Sequence, residues 1–169
     1  NTLINGLFGL LCWQTIFAPV PGAFFHPFHV GPADLTREDF VNRRQASFEQ
    51  CFGLLADGRY RDRILENYRA KQGTTNPFVI WPVITEELLG LALDCIPAED
   101  LDRLFRRLLL NIREHRSGFP DLIRFFPGAT DTAKRYEMIE VKGPGDRLQD
   151  HQIRWLEFFA GEGIPASVC

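Results

Sequence analysis

Apolar residues follow two rhythms along the chain, and the change falls at Gly118. Upstream the spacing is helical. Residues 3 to 18, within "NTLINGLFGLLCWQTIFAPVPGAFF", are apolar nearly all round a helical wheel, which predicts a buried helix. "PVPGAFFHPFHVGP" then reads as a Pro and Gly loop, and Asp34 and Thr36 as caps for a second helix near 36 to 56. "DGRYRDRILENYRAKQG" is a third. A turn at "TTNP" leads to the short apolar run "FVIWPVI", and Thr85, followed by Glu86 and Glu87, opens another helix. In "IPAEDLDRLFRRLLLNIREHRSG", Leu101, Leu104, Phe105, Leu108 and Ile112 recur at helical spacing, so one helix is expected to run to about Gly118. Downstream the period shortens. "FPDLIRFF", "YEMIEVK" and "IPASVC" alternate like strands, and "DRLQDHQIRWLEFFAGEG" is a helix stopped by Gly161 and Gly163. The expected order is a mainly helical portion, 1–112, followed by a β-β-α-β portion, 113–169, with its last strand cut short.

The second strand run contains charges that its pattern does not call for. Side chains alternate faces along a strand, so Glu140 and Lys142 share one face, and Ile139 and Val141 are expected to point the other way into the core. Asp121 heads the preceding strand, and "PGATDTAKR" has the length of a hairpin connection that brings it alongside. Two carboxylates at about 4 Å and an effective dielectric near 20 repel by roughly 4 kcal/mol. One lysine offsets part of this, and a divalent cation reverses it. Hard oxygen ligands with open positions suit Mg²⁺ or Mn²⁺, which also take phosphate oxygens. Such a site hydrolyses phosphodiesters, with Lys142 holding the attacking water or the developing charge. The competing reading is a charged strand end paired with its lysine. Asp followed later by Glu-x-Lys does not separate the two.

Composition narrows the classes. The chain has 169 residues, 45% hydrophobic and 24% charged, which describes a globular protein rather than a disordered one. A net charge of −3 leaves nucleic acid to be met by a local basic patch. Cys12, Cys51, Cys95 and Cys169 form no Cys-x-x-Cys pair, so neither a zinc cluster nor a disulfide scaffold is expected. His26 and His29 in "HPFH" lack cysteine partners and helical spacing, and they suggest no zinc site. The apolar start has no basic leader, and Pro19 and Pro21 stop it below membrane-spanning length. The chain begins without Met, and the expectation is a piece of a longer protein.

Together "SGFPDLI", "YEMIEVKGPGDRLQDHQIRWL" and the Asp121-to-Glu140 separation resemble the VRR-NUC branch of the PD-(D/E)xK nucleases. "GLFGLLCWQTIF", "NRR" and "CIPAEDLDRLFRRLLLNIREHRSG" are similar to segments of the Fanconi-associated nuclease family, in a bacterial form. The resemblance covers the whole chain and implies one VRR-NUC domain over 1–169. It implies an α/β, restriction-endonuclease-like core, a mixed sheet flanked by helices. It also implies a Mg²⁺- or Mn²⁺-dependent, structure-specific DNA nuclease, a 5′-flap endonuclease and 5′-to-3′ exonuclease of the phosphodiesterase I type, in interstrand-crosslink repair. By the same resemblance Asp121, Glu140 and the carbonyl of Val141 are metal ligands, Lys142 is the catalytic lysine, and Gln152 supports the site. A further family glutamate falls before Asn1, which leaves a fragment lacking one ligand. Branched or 5′-flap DNA and the remaining modules of the full-length protein are the expected partners. A bacterial cytoplasm at the nucleoid, or the nucleus of a eukaryote, is the expected location, with no membrane. A junction resolvase on the same core and a non-catalytic DNA-binding module are the alternatives.

Several basic residues are candidates for contacting DNA. Arg103, Arg106, Arg107 and Arg113 lie opposite the leucines of their helix, either as a phosphate track or as a solvated face. Arg116 precedes the turn into the Asp121 strand. Arg147, His151 and Arg154 begin the helix after Lys142, where free backbone N–H groups favour anions. Trp13, Trp81 and Trp155 are expected in the core.

Overall fold

The computed structural model describes residues 2–24 and 29–169. His26, one half of the "HPFH" pair, lies outside them. The chain divides into two compact units, Thr2–Leu89 and Gly90–Cys169.

The first unit is helical. The long helix expected at its start is two pieces, α1 (Thr2–Leu11) and α2 (Trp13–Ile16), because Cys12 takes φ −95°, ψ 20° between them. Leu3, Ile4, Leu7, Phe8, Leu10 and Leu11 are all buried, as the uniform apolarity requires. A side chain at Gly9 would collide with Phe78 Cβ at 2.8 Å, so the missing Cβ lets the "FVIWPVI" segment lie against α1. That segment forms no strand beyond an isolated Asn76↔Val79 bridge. No regular helix begins at Asp34 or Thr36. A 3-10 turn (Asn42–Arg44) leads into α3 (Gln45–Asp57), which is followed by α4 (Tyr60–Ala70). Asp34 is instead 1% exposed and grips Arg44 through two bonds, Nη1 to Oδ2 at 2.8 Å and Nη2 to Oδ1 at 3.1 Å. A carboxylate on a buried guanidinium offsets a desolvation cost that a helix cap at the surface would never incur. Thr85 does open α5 (Glu86–Cys95), its hydroxyl accepting from Leu88 N at 3.1 Å.

In the second unit the helix expected to reach Gly118 breaks at Asn111, which is extended at φ −157°, ψ 90°. It leaves α6 (Ala98–Leu110) and a short α7 (Ile112–His115), whose Glu114 N is capped by the Asn111 side chain. Leu101, Leu104, Phe105, Leu108 and Ile112 are buried as the spacing predicts. Then come β1 (Leu122–Phe125), β2 (Tyr136–Glu140), α8 (Asp150–Glu162) and β3 (Ala166–Val168). The sheet is mixed, in the order β1-β2-β3: β1 pairs antiparallel with β2, and β3 pairs parallel. A parallel neighbour needs a crossover connection, and α8 supplies it.

Trp155 on α8, 1% exposed, anchors this unit. It stacks on Phe119 with ring centroids 3.9 Å apart, packs against Phe159, and donates Nε1–H to Ser117 O at 3.1 Å. Trp13 is buried too, and Trp81 is half-buried with its N–H on Thr74 O at 2.7 Å, so all three tryptophans pack as expected. Gly118 has φ +80°, and a Cβ there would sit 2.4 Å from His151 Cδ2 on α8. The turn into β1 therefore depends on the absence of a side chain. Gly118→Ala is expected to cost more than about 1 kcal/mol of unfolding free energy in urea, through both strain and collision. An unchanged midpoint would show that the turn does not hold α8.

Candidate active site

The site is built at the end of β2, and its sidedness differs from the expectation. Tyr136, Met138 and Glu140 form the buried face of β2, while Ile139 is only half-buried and Val141 is 45% exposed. Glu140 and Lys142 do share a face, but it is the core face and not the one opposite the core. The apolar letters Ile139 and Val141 misled because they lie on a sheet face that this unit leaves partly open to solvent. Glu140 is therefore a carboxylate at 1% exposure.

Leaving such a charge unpaired costs several kcal/mol. Lys142 Nζ lies 3.0 Å from Glu140 Oε1, and the amide Nε2 of Gln152 donates to the same oxygen. Gln152 Oε1 in turn accepts from Lys142 Nζ at 2.9 Å and from the backbone N–H of Gln149 at 2.9 Å. Only one orientation of the amide serves all three contacts, with NH₂ on the carboxylate and oxygen on the ammonium. Gln149 is the N-cap of α8 and Gln152 its third residue, so the contact that starts the helix also fixes the amide. The Q-x-x-Q spacing was the available signal for Gln149, which the sequence reading missed.

The backbone clamps the other side. Cys169 N donates to Glu140 O at 2.9 Å and Lys142 N to Cys169 O at 2.8 Å, so the parallel ladder passes on either side of Val141. Val141's own N–H and C=O then face away from β3. The N–H meets Asp121 Oδ2 at 2.9 Å, and the C=O is directed to that same side. Asp121 is one step beyond the Leu122↔Ile139 pair, which registers it opposite Glu140. Asp121, Glu140, the Val141 carbonyl, Lys142 and Gln152 are thus brought to one strand end.

This donor set fits a hydrated hard cation. Both side-chain contacts of Glu140 fall on Oε1, and the backbone contact of Asp121 falls on Oδ2, so each carboxylate has an oxygen to offer among the described residues. No third His, Cys, Asp or Glu joins them among the described residues. Two carboxylates and a carbonyl leave room for several waters, the habit of Mg²⁺ and Mn²⁺.

The basic candidates separate into two groups. Arg103 is paired with Asp100 at 3.2 Å and Glu162 at 3.3 Å, and Arg106 with Asp102 at 2.9 Å. Arg107 lies over the rings of Trp155 and Phe158, at 4.9 and 4.5 Å, and donates to Arg154 O at 3.0 Å. Burial, with the Arg154 charge beside it, pulls the Arg107 pKa below its usual value. Arg103 and Arg106 thus sit in exposed ion pairs, while Arg107 packs α6 on α8. Arg113 is not on their helix but on α7. Arg113, Arg116, Arg147 and Arg154 are exposed, and His151 is half-buried over Gly118.

Three comparisons bear on these residues. The VRR-NUC domain model matches residues 55–169. The Fanconi-associated nuclease 1 homolog of Pseudomonas aeruginosa is 57% identical over 169 residues, covering 100% of this chain and 30% of the relative. The Caenorhabditis elegans homolog is 37% identical over 173 residues, and human Fanconi-associated nuclease 1 is 29% identical over 176; they cover 96% and 100% of this chain, and 19% and 17% of themselves. The crystal structure of paFAN1 bound to 2nt 5′flap DNA with gap superposes with a TM-score of 0.93 at 57% identity, covering 99% of this chain and 30% of that one. The chain thus spans about a third or less of the length of these relatives.

The network makes a stability prediction. Lys142→Met leaves Glu140 buried without its cation and is expected to cost roughly 2–3 kcal/mol, somewhat below a fully buried pair because Lys142 is partly exposed. The Glu140→Gln, Lys142→Met double variant should recover much of that loss in urea unfolding. A single variant as stable as the parent would mean that the pair does not hold the strand end.

Proposed function

This chain belongs to the VRR-NUC domain family, in its Fanconi-associated nuclease branch, and from that membership we propose that it is the nuclease module of a larger DNA-repair enzyme. The activity is metal-dependent, structure-specific hydrolysis of DNA phosphodiesters: 5′-flap endonuclease and 5′-to-3′ exonuclease, phosphodiesterase I in type, serving interstrand-crosslink repair. The observation that carries this reading is the convergence at one strand end of Asp121, Glu140, Val141 and Lys142, with Asp121 tied to Val141 N at 2.9 Å and Lys142 to Glu140 at 3.0 Å. The likeness to paFAN1, a protein solved with 5′-flap DNA, supports the substrate class.

Asp121, Glu140 and the Val141 carbonyl would hold a divalent cation. Bound there, Mg²⁺ or Mn²⁺ supplies the positive charge that polarises the phosphate and acidifies a water. Lys142, partly exposed beside Glu140, orients the attacking water or meets the charge growing on the phosphate. Gln152 holds both the Lys142 ammonium and the Glu140 carboxylate in place before substrate arrives, so no reorganisation is needed at the moment of attack. The exposed Arg113, Arg116, Arg147 and Arg154, with His151, take DNA phosphates and position the strand without reading its sequence. The partners are branched or 5′-flap DNA and the other modules of the full-length protein. The setting is chromosomal DNA in a bacterial cytoplasm, in keeping with the bacterial relative. No helix among the described residues is long and apolar enough to cross a membrane.

The test uses the full-length protein. On a 5′-flap duplex with Mn²⁺, Asp121→Ala, Glu140→Gln and Lys142→Ala are each expected to lower the cleavage rate by on the order of 10²-fold or more, with circular dichroism confirming folded protein. Asp121→Ala should leave stability within about 1 kcal/mol, because its backbone bond is exposed. Parent protein that retards the flap DNA without cutting it would instead mark a non-catalytic binding module.

A further inference from the structure

The helical unit brings together two thiols that the strand-end chemistry does not use. Cys12, at the break between α1 and α2, is 0% exposed, and Cys51 on α3 is 8% exposed. Cys51 Sγ lies 3.9 Å from the carbonyl oxygen of Leu11, the residue before Cys12, which makes the two thiols neighbours. Cys51 Sγ lies 3.2 Å from Thr15 Oγ1, which is 2.6 Å from Ser47 Oγ. Cys51 also lines a cavity of about 410 Å³ shared with Gln14, Ser47, Asp57, Arg59 and Arg63. A small solute can therefore approach Cys51, while Cys12 lies behind it.

We propose that Cys51 is a peroxide-reactive thiol and that Cys12 resolves it, closing an intramolecular Cys12–Cys51 disulfide. The environment divides the labour between the two sulfurs. The Cys51 pKa is lowered to about 7, first by the neighbouring Cys12 thiol, against the effect of burial, and with help from Thr15 and the charge of Arg63. Burial pushes the Cys12 thiol well up, so Cys12 keeps its proton. Of the other charges lining the cavity, Asp57 and Arg59 satisfy each other at 2.6 Å, which leaves Arg63 to favour the thiolate. A thiolate, and not a thiol, is the nucleophile toward oxidants.

In the first step the Cys51 thiolate attacks one oxygen of a hydroperoxide. A sulfur–oxygen bond forms, the oxygen–oxygen bond breaks, and hydroxide or alkoxide leaves to take up a proton. Cys51 is then a sulfenic acid, oxidised by two electrons that reduce the peroxide. In the second step the Cys12 sulfur attacks Cys51 Sγ. The sulfur–sulfur bond forms, the sulfur–oxygen bond breaks, and the departing hydroxide leaves as water with the Cys12 proton. The product staples the start of α2 to α3.

Mass spectrometry of the reduced 169-residue chain tests this directly. Iodoacetamide labelling of Cys51 is expected to rise with a midpoint near pH 7, whereas an unstructured cysteine peptide rises near 8.5. Limiting hydrogen peroxide should remove about 2 Da from the unlabelled chain and yield a Cys12–Cys51 peptide that dithiothreitol cleaves. In Cys12→Ala, checked for folding by circular dichroism, the same treatment should leave a dimedone adduct on Cys51. Labelling of Cys51 that follows the free peptide, or peroxide products confined to the exposed Cys169, would overturn the proposal. Both of these results come from the parent chain and do not depend on the variant folding.

Discussion

A carboxylate at 1% exposure sets the terms for this strand end. Glu140 lies on the core face of β2, level with Tyr136 and Met138, where water cannot solvate it. Its charge is met by Lys142 and Gln152, and those two are held by the Cys169 ladder and by the first turn of α8. The end of β2 and the start of α8 thus meet at one carboxylate oxygen, while the Cys169 ladder holds the backbone on either side of Val141. Replacing such a group by an apolar residue of similar volume is often neutral or stabilising, so stability does not explain why it is there. The proposed cation site would. The paired half of the carboxylate is neutralised by lysine, and the other half is available to something positive.

The same economy governs the arginines around α6 and α8. Arg107 spends its guanidinium on the faces of Trp155 and Phe158, and Arg103 and Arg106 are paired with acids. Next to them, Tyr136 donates to Asp100 at 2.7 Å, and burial raises the Asp100 pKa in spite of that bond. The exposed Arg113, Arg116, Arg147 and Arg154 lie nearer the site, on α7, on the turn before β1, and on the approach to and first turns of α8. A chain with a net charge of −3 meets DNA through such a limited patch or not at all.

Much of this was legible in the letters. The change of period at Gly118 separates helices from sheet, and the buried leucine stripe of α6 follows from its spacing. Two helix breaks were invisible, because the apolar pattern runs on through Cys12 and Asn111 while the backbone does not. The sidedness of β2 was read backwards, since Ile139 and Val141 are apolar residues on a face that this unit leaves partly uncovered, and no local pattern reveals which face a neighbouring helix will choose. The convergence of Asp121, Glu140 and Lys142 was readable because a hairpin links them. Asp34 with Arg44, and Cys12 with Cys51, were not readable. Each joins residues from different elements, and only tertiary packing brings them together.

The central claim is that the charge at this strand end is kept to receive a divalent cation. Crystals of the chain soaked in Mn²⁺ and measured for anomalous scattering test it most directly. The account predicts one peak bounded by Asp121, Glu140 and the Val141 carbonyl. Manganese bound only elsewhere, with Glu140 still closed on Lys142 and Gln152, would contradict it.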